Sequence, residues 1–267
     1  MSTMTNMLTP DGIAALCRPA AQTVAIRVVD ETGSTNADLL AELSTLQAPT
    51  LLLAHAQTAG RGRAGRSWYS APGKALTFSL AWRFKVPLQA LVGLPLAVGV
   101  ALADALAMFD IRTRLKWPND VLFEGKKLAG ILIESASAGR PSQDGSWAVI
   151  GIGINMAVDE RIASQIGRPV AGIGWLAELD QNMLMALLLS GLAEAMQQFE
   201  QQGLPAFTAR WNALHAYAGQ PVSILDNGRV LHEGIAAGVD DTGRFLMDTA
   251  TGRIAVMAGD VSLRAME

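Results

Sequence analysis

Between Gln57 and Trp68 the chain reads Q-T-A-G-R-G-R-A-G-R-S-W, in which Gly60, Gly62 and Gly65 alternate with Arg61, Arg63 and Arg66 directly after an apolar run of strand length. Glycine reaches the φ > 0 conformations that gather successive N–H groups into a concavity, and guanidinium forks contact carboxylate or phosphate oxygens bidentately. Such a loop suits anionic ligands. The same run also suits a solvated basic turn or an RNA contact, so its meaning depends on what accompanies it.

Three further segments accompany it in order: Thr32-Gly33-Ser34-Thr35-Asn36 before the loop, Lys116-Trp117-Pro118-Asn119-Asp120 with Lys126-Lys127-Leu128-Ala129-Gly130-Ile131-Leu132-Ile133-Glu134 after it, and then Gly151-Ile152-Gly153-Ile154-Asn155-Met156. The combination resembles the catalytic domain of biotin protein ligases, most closely from Val24 to Asn155. The resemblance implies ATP-dependent activation of biotin as biotinyl-5′-AMP, then transfer to a lysine of the biotin carboxyl carrier protein of acetyl-CoA carboxylase. ATP and biotin are the implied substrates and Mg²⁺ the implied ion. Joining a carboxylate to an α-phosphate brings two anions into contact, so cationic donors are required. Arg61, Arg63 and Arg66 with Lys116 and Lys127 provide them, and such preorganised charge is commonly an enzyme's largest electrostatic contribution.

Residue by residue, the resemblance assigns Ser34, Thr35, Asn36 and Gln57 to biotin's fused rings, although Ser34–Asn36 also fits simple helix capping. Gly60, Arg61 and Arg63 match the loop over biotin and the adenylate phosphate, and Trp68 closes that motif. Lys127 matches the lysine between carboxylate and α-phosphate, so Lys127, Arg63 and Arg66 are the expected catalytic groups. Gly130 falls where backbone must approach the ligand. Lys116, Asn119 and Asn155 match the nucleotide side. Trp175 is a candidate lid after a loop over Val158–Ala171, or a core anchor. Asn119 and Asp120 are also candidates for organising Mg²⁺, Asp120 as the single carboxylate, with most coordination left to phosphate and water; capping a turn or orienting Lys127 are the other readings of Asp120. Arg264 matches a position facing the active site, or forms a rim salt bridge.

Composition narrows the class. The chain has 267 residues, half of them hydrophobic, and a net charge of −3. That balance argues against sequence-specific nucleic-acid binding and against an acidic membrane partner. A single cysteine, Cys17, suits a reducing cytoplasm, and His55, His215 and His232 lie too far apart in sequence for a zinc site or a Cys–His dyad. No secretory signal is visible. About twenty residues precede the first strand, too few for a winged-helix DNA reader, so the resemblance is to monofunctional ligases. A lipoate or octanoate ligase or transferase of the same fold is the alternative within the class, and a nucleic-acid-binding regulator the alternative outside it. A homodimer is left open.

The elements that must position these residues follow from periodicity. Strands are expected at Val24–Asp30, Thr50–Gln57, Leu76–Phe84, Arg112–Trp117, Lys127–Ser135 and Trp147–Met156, with a hairpin turn at Glu124-Gly125 and an exposed connection at Arg140–Ser146. Helices are expected after an N-cap at Ser34 or Thr35, with Asp38 completing an approximate capping box, and at Ala90–Met108, Asp180–Gln201 and Leu204–Ala216. Met183, Leu184, Leu187, Leu188, Leu192, Met196 and Phe199 should form the buried face of the third. Turns at Asp226-Asn227-Gly228, Asp241-Thr242-Gly243 and Thr251-Gly252 spell a barrel of about five strands. The expected fold is α+β: a mixed-sheet catalytic domain over 1–218, of the class II synthetase-like biotin/lipoate ligase type implied by the resemblance, and an SH3-like barrel over 219–267.

Overall fold

The structure is a computed structural model that describes residues 7–69, 73–137, 145–158, 170–226, 228–259 and 261–266. Seven strands form the main sheet: β1 (Ala25–Thr32), β2 (Thr50–Gln57), β3 (Ala75–Phe84), β4 (Arg114–Lys116), β5 (Asp120–Phe123), β6 (Lys126–Ser137) and β7 (Ser146–Asn155). Their order is β1-β2-β3-β7-β6-β5-β4, parallel between β1 and β2 and antiparallel elsewhere. Because side chains alternate across a strand, one face carries Leu51, Leu53, Leu80, Trp82, Ala148 and Ile150 into the main core, and the other carries Leu52, Ala81, Trp147 and Val149 into a smaller one.

The two faces are covered differently. Helices α1 (Pro10–Leu16), α3 (Leu94–Ala107), α4 (Gln181–Gln202) and α5 (Pro205–Leu214) pack on the first, and α2 (Thr35–Glu42) alone packs on the second through Leu39. The second face therefore has room for a ligand beyond the end of α2.

Several expectations shift. Helix α3 starts at Leu94, later than expected, because Gly93 is left-handed (φ 84) and Pro95 occupies the first turn; Leu88–Leu91 is a 3-10 turn. Of the two N-cap candidates Ser34 caps α2, accepting from Ala37 N, and the Asp38 carboxylate accepts from the Thr32 hydroxyl instead of completing a capping box. Met183 is 47% exposed, whereas Met185 and Met196 are fully buried. The turn at Glu124-Gly125 forms with both residues at positive φ. Arg140–Ser146 lies largely outside the described residues. No described helix is long and apolar enough to cross a membrane.

The C-terminal strands β8 (Pro221–Asp226), β9 (Arg229–Val239), β10 (Phe245–Thr249), β11 (Gly252–Val256) and β12 (Val261–Ala265) form an antiparallel sheet ordered β11-β10-β9-β8-β12. The expected barrel is not closed, since β11 and β12 end the order without pairing to each other. This sheet is anchored to the main one. Trp117 Nε1 donates to Gly243 O at 3.2 Å and its ring lies 5.4 Å from Phe245, while Asn212 at the end of α5 exchanges two hydrogen bonds with Val239.

His215 sits in this junction, 3% exposed, against Trp211, Tyr217 and Phe245, and neither ring nitrogen meets a hydrogen-bond partner. Burial pushes its pKa from 6.5 down to about 4. The folded chain therefore takes up this proton less readily than the unfolded one. The resulting stability is fully present above pH 6.5 and is lost as pH falls through about 4, a change on the order of 3 kcal/mol. Denaturant midpoints measured across that window should fall less steeply for His215→Phe than for the parent. Equal slopes would remove His215 from the acid response.

Candidate active site

The floor of the site is the α2 face of β3, β7 and β6. Register aligns Ala81, Val149 and Glu134 in one row, Ser79, Gly151 and Leu132 in the next, and Thr77, Gly153 and Gly130 in a third that continues to Asp120 of β5. Along this face the residues change from apolar to small and polar, and there the cavity opens. Its volume is about 340 Å³.

A β-bulge aims the central lysine. Pairing slips between Val121 and Leu122, so Leu128 and Ala129 both turn into the main core and Lys127 emerges on the floor. Its Nζ lies 2.6 Å from Asp120 Oδ1 and 5.7 Å from the centre of the Trp68 ring. Lys127 O also accepts from Asn155 Nδ2 at 3.2 Å.

Glycines on the floor admit neighbouring side chains. A Cβ on Gly153 would lie 2.2 Å from the Trp68 indole, and one on Gly151 would lie 2.3 Å from Asn36 Oδ1. Gly130 leaves room for Lys127 and Trp68 in the same way, a closer role than the ligand approach expected for it. The Trp68 Nε1–H is buried and meets no acceptor.

The arginine loop folds as a tight hairpin. Arg61 bridges Ser67, Gly62 N donates to Arg66 O, Trp68 N donates to Gly60 O, and Ala64 and Gly65 turn the chain at φ 53 and 68. The N–H groups of Gly62, Arg66 and Trp68 are thus engaged within the hairpin and are not among the donors it can offer an anion. Arg61 pairs with Glu134 at 2.8 Å, and Arg63 donates to Asn119 Oδ1 at 3.1 Å and to Gly259 O of the C-terminal segment.

Of the residues expected from sequence, Ser34, Thr35, Asn36, Gln57, Arg61, Arg63, Arg66, Trp68, Lys116, Asn119, Asp120, Lys127, Gly130 and Asn155 line this one cavity. Gly60 does not; it supports the hairpin, where a Cβ would lie 2.5 Å from Trp68 O. Trp175 does not either, standing 45% exposed on a 3-10 turn at Gly174–Glu178. Most of the Val158–Ala171 loop lies outside the described residues. Arg264 lines the cavity from β12. Ser79, Leu132 and Gly151 are among the other lining residues, and Ser79, a polar residue within an apolar strand, was not singled out in the sequence.

Magnesium finds no prepared donor set among the described residues. No group of three metal-ligating side chains occurs, Asp120 is engaged by Lys127, and Asn119 Oδ1 is engaged by Arg63. Any ion would have to arrive on the triphosphate.

Residues 25–155 match the Biotin/lipoate A/B protein ligase family and residues 217–264 match the Biotin protein ligase C terminal domain. The biotin–[acetyl-CoA-carboxylase] ligase of Mycobacterium tuberculosis is 36% identical over 242 residues, covering 88% of this chain and 87% of that protein. The bifunctional ligase/repressor BirA of Escherichia coli is 36% identical over 248 residues, covering 91% of this chain and 75% of that protein. Among solved structures, the Aquifex aeolicus biotin protein ligase in complex with biotin and ATP aligns with a TM-score of 0.73 at 28% identity, over 91% of this chain and 99% of that one. With such relatives aligned along most of their length and the separate sequence motifs gathered around one cavity, the chain belongs to the biotin protein ligase family.

Proposed function

We propose that the cavity catalyses both steps of protein biotinylation. In the first, a biotin carboxylate oxygen attacks the α-phosphorus of ATP, the bond to the bridging oxygen breaks, and pyrophosphate leaves. In the second, the amine of an acceptor lysine attacks the acyl carbon, AMP leaves, and the amine proton passes to solvent. The observation that carries this reading is that Lys127, a polar cradle formed by Thr35, Asn36, Gln57 and Ser79, and the arginine hairpin all line one cavity.

Each group has a distinct task. The cradle's short polar side chains match the donors and acceptors of a cyclic urea. Lys127 lies where the carboxylate and α-phosphate must meet, and it offsets their repulsion without offering a second anion. Arg63 and Arg66 face the phosphates, while Lys116, Asn119 and Asn155 line the nucleotide side. The buried Trp68 N–H offers a donor that a bound acyl-phosphate oxygen would satisfy.

The acceptor is assigned as a biotin carboxyl carrier domain of acetyl-CoA carboxylase in the cytoplasm. No nucleic-acid partner is assigned, in keeping with the net charge of −3. Residues 1–218 are read as the catalytic domain and 219–267 as an appended module whose Arg264 reaches the cavity.

ATP–pyrophosphate exchange tests the reading. It should require biotin, and octanoate or lipoate should not substitute, since neither offers a urea to the cradle. Exchange supported equally by octanoate, or absent with biotin, would overturn the substrate.

A further inference from the structure

The geometry points to Glu134 as a positioning residue that fixes the donor and acceptor directions of the cradle, a role that rests on the proposed biotin reading. Glu134 stands on β6 at the edge of the floor, and a single oxygen, Oε2, accepts from Arg61 Nη2 at 2.8 Å and from Asn36 Nδ2 at 2.9 Å. It therefore joins the hairpin to the cradle.

A carboxylate at the end of a row of hydrogen bonds sets the direction of the whole row, because it only accepts. Asn36, 3% exposed, must turn Nδ2 to it and Oδ1 away. Ser79 Oγ then donates to Asn36 Oδ1 at 2.5 Å, and with its one hydrogen engaged it accepts from Thr35 Oγ1 at 2.7 Å. Thr35 N–H holds Gln57 Oε1 at 2.8 Å, which leaves Gln57 Nε2 as the outward donor.

The opposite direction is also geometrically available. With Asn36 flipped, its Nδ2 would donate to Ser79, Ser79 to Thr35, and Thr35 Oγ1 to Gln57 Oε1, a contact of 3.2 Å. The cradle thus has two hydrogen-bond polarities; the Glu134 carboxylate at 2.9 Å is the stronger acceptor that selects between them, and Leu132 O, which accepts from the same Asn36 Nδ2 at 3.4 Å, favours the same one. A cyclic urea has one acceptor and two donors in fixed places, so a cradle of mixed polarity binds it less well. A carboxamide at position 134 is a weaker acceptor without the charge and can also present a donor to Asn36, so it selects less firmly.

The test is steady-state exchange kinetics on the full chain. Glu134→Gln should raise the KM for biotin about tenfold or more, the loss expected for a hydrogen bond to a charged group, while kcat and the KM for ATP change much less. Glu134→Asp, which keeps the selecting charge, should hold the biotin KM within a few-fold of the parent. A merely structural role would lower kcat through loss of folded enzyme and leave KM in place. An unchanged biotin KM in Glu134→Gln, or a biotin KM in Glu134→Asp as high as in Glu134→Gln, would overturn the role. If the parent itself shows no biotin-dependent exchange, the biotin reading fails instead.

Discussion

Lys127→Ala should slow adenylate synthesis by roughly a hundredfold to a thousandfold, the usual cost of removing one preorganised donor from a charged transition state. The lysine answers a specific electrostatic problem. Its Nζ is held 2.6 Å from Asp120, and the Asp120 side chain is only 15% exposed. Removing the ammonium therefore takes away the cation between carboxylate and phosphate, and it also leaves a poorly solvated carboxylate facing the incoming triphosphate. Biotin affinity should fall much less, because the cradle formed by Thr35, Asn36, Gln57 and Ser79 stays intact. Rapid-quench single-turnover measurement checks this, with calorimetric titration of biotin alongside. Synthesis at the parental rate would show that Lys127 is not the bridging cation.

The second large effect is steric. A methyl group at position 151 would stand 2.3 Å from Asn36 Oδ1 and 2.9 Å from its Cγ, and Asn36 cannot retreat without breaking its bonds to Ser79 and Glu134. Overpacking of this kind costs about 1–3 kcal/mol, so Gly151→Ala should weaken biotin binding roughly fivefold to a hundredfold. Gly174→Ala is the matched control, since a Cβ there meets nothing within 4 Å. Calorimetric titration of both variants with biotin gives the comparison. Equal affinities would mean that Asn36 is free to move and that the cradle is less rigid than its hydrogen bonds imply.

Local features of this fold were readable in sequence because local chemistry dictates them. Thr50–Gln57 forms β2 with the expected bounds, and the Glu124-Gly125 turn closes its hairpin. Ser34 caps α2 because a short hydroxyl there meets an unpaired helix N–H. The chemical segments were legible as well, since charged, glycine-rich and amide-bearing runs stand out against apolar strands.

What depends on register was not readable. Lys127 was expected at the ligand, but the bulge beside Val121 that turns it there while Leu128 enters the core leaves no mark in residue type. Ser79, Gly151 and Leu132 meet in one row only through the β3–β7–β6 alignment. Glu134 closes a motif quoted from the sequence, but no role followed for it until that alignment set it beside Asn36. The closure of the arginine loop into a hairpin turns on Ala64 at φ 53, a conformation a sequence reading would assign to glycine before alanine.

The most direct test of the central claim follows both half-reactions in one tube. The protein is mixed with stoichiometric biotin and ATP labelled at the α-phosphate, quenched, and resolved; a second portion is chased with a biotin carboxyl carrier domain before quenching. The expected result is a biotin-dependent labelled adenylate approaching one per active site, discharged by the carrier as AMP with biotin in amide linkage on a single lysine. No biotin-dependent adenylate, or an adenylate formed equally from octanoate, would contradict it.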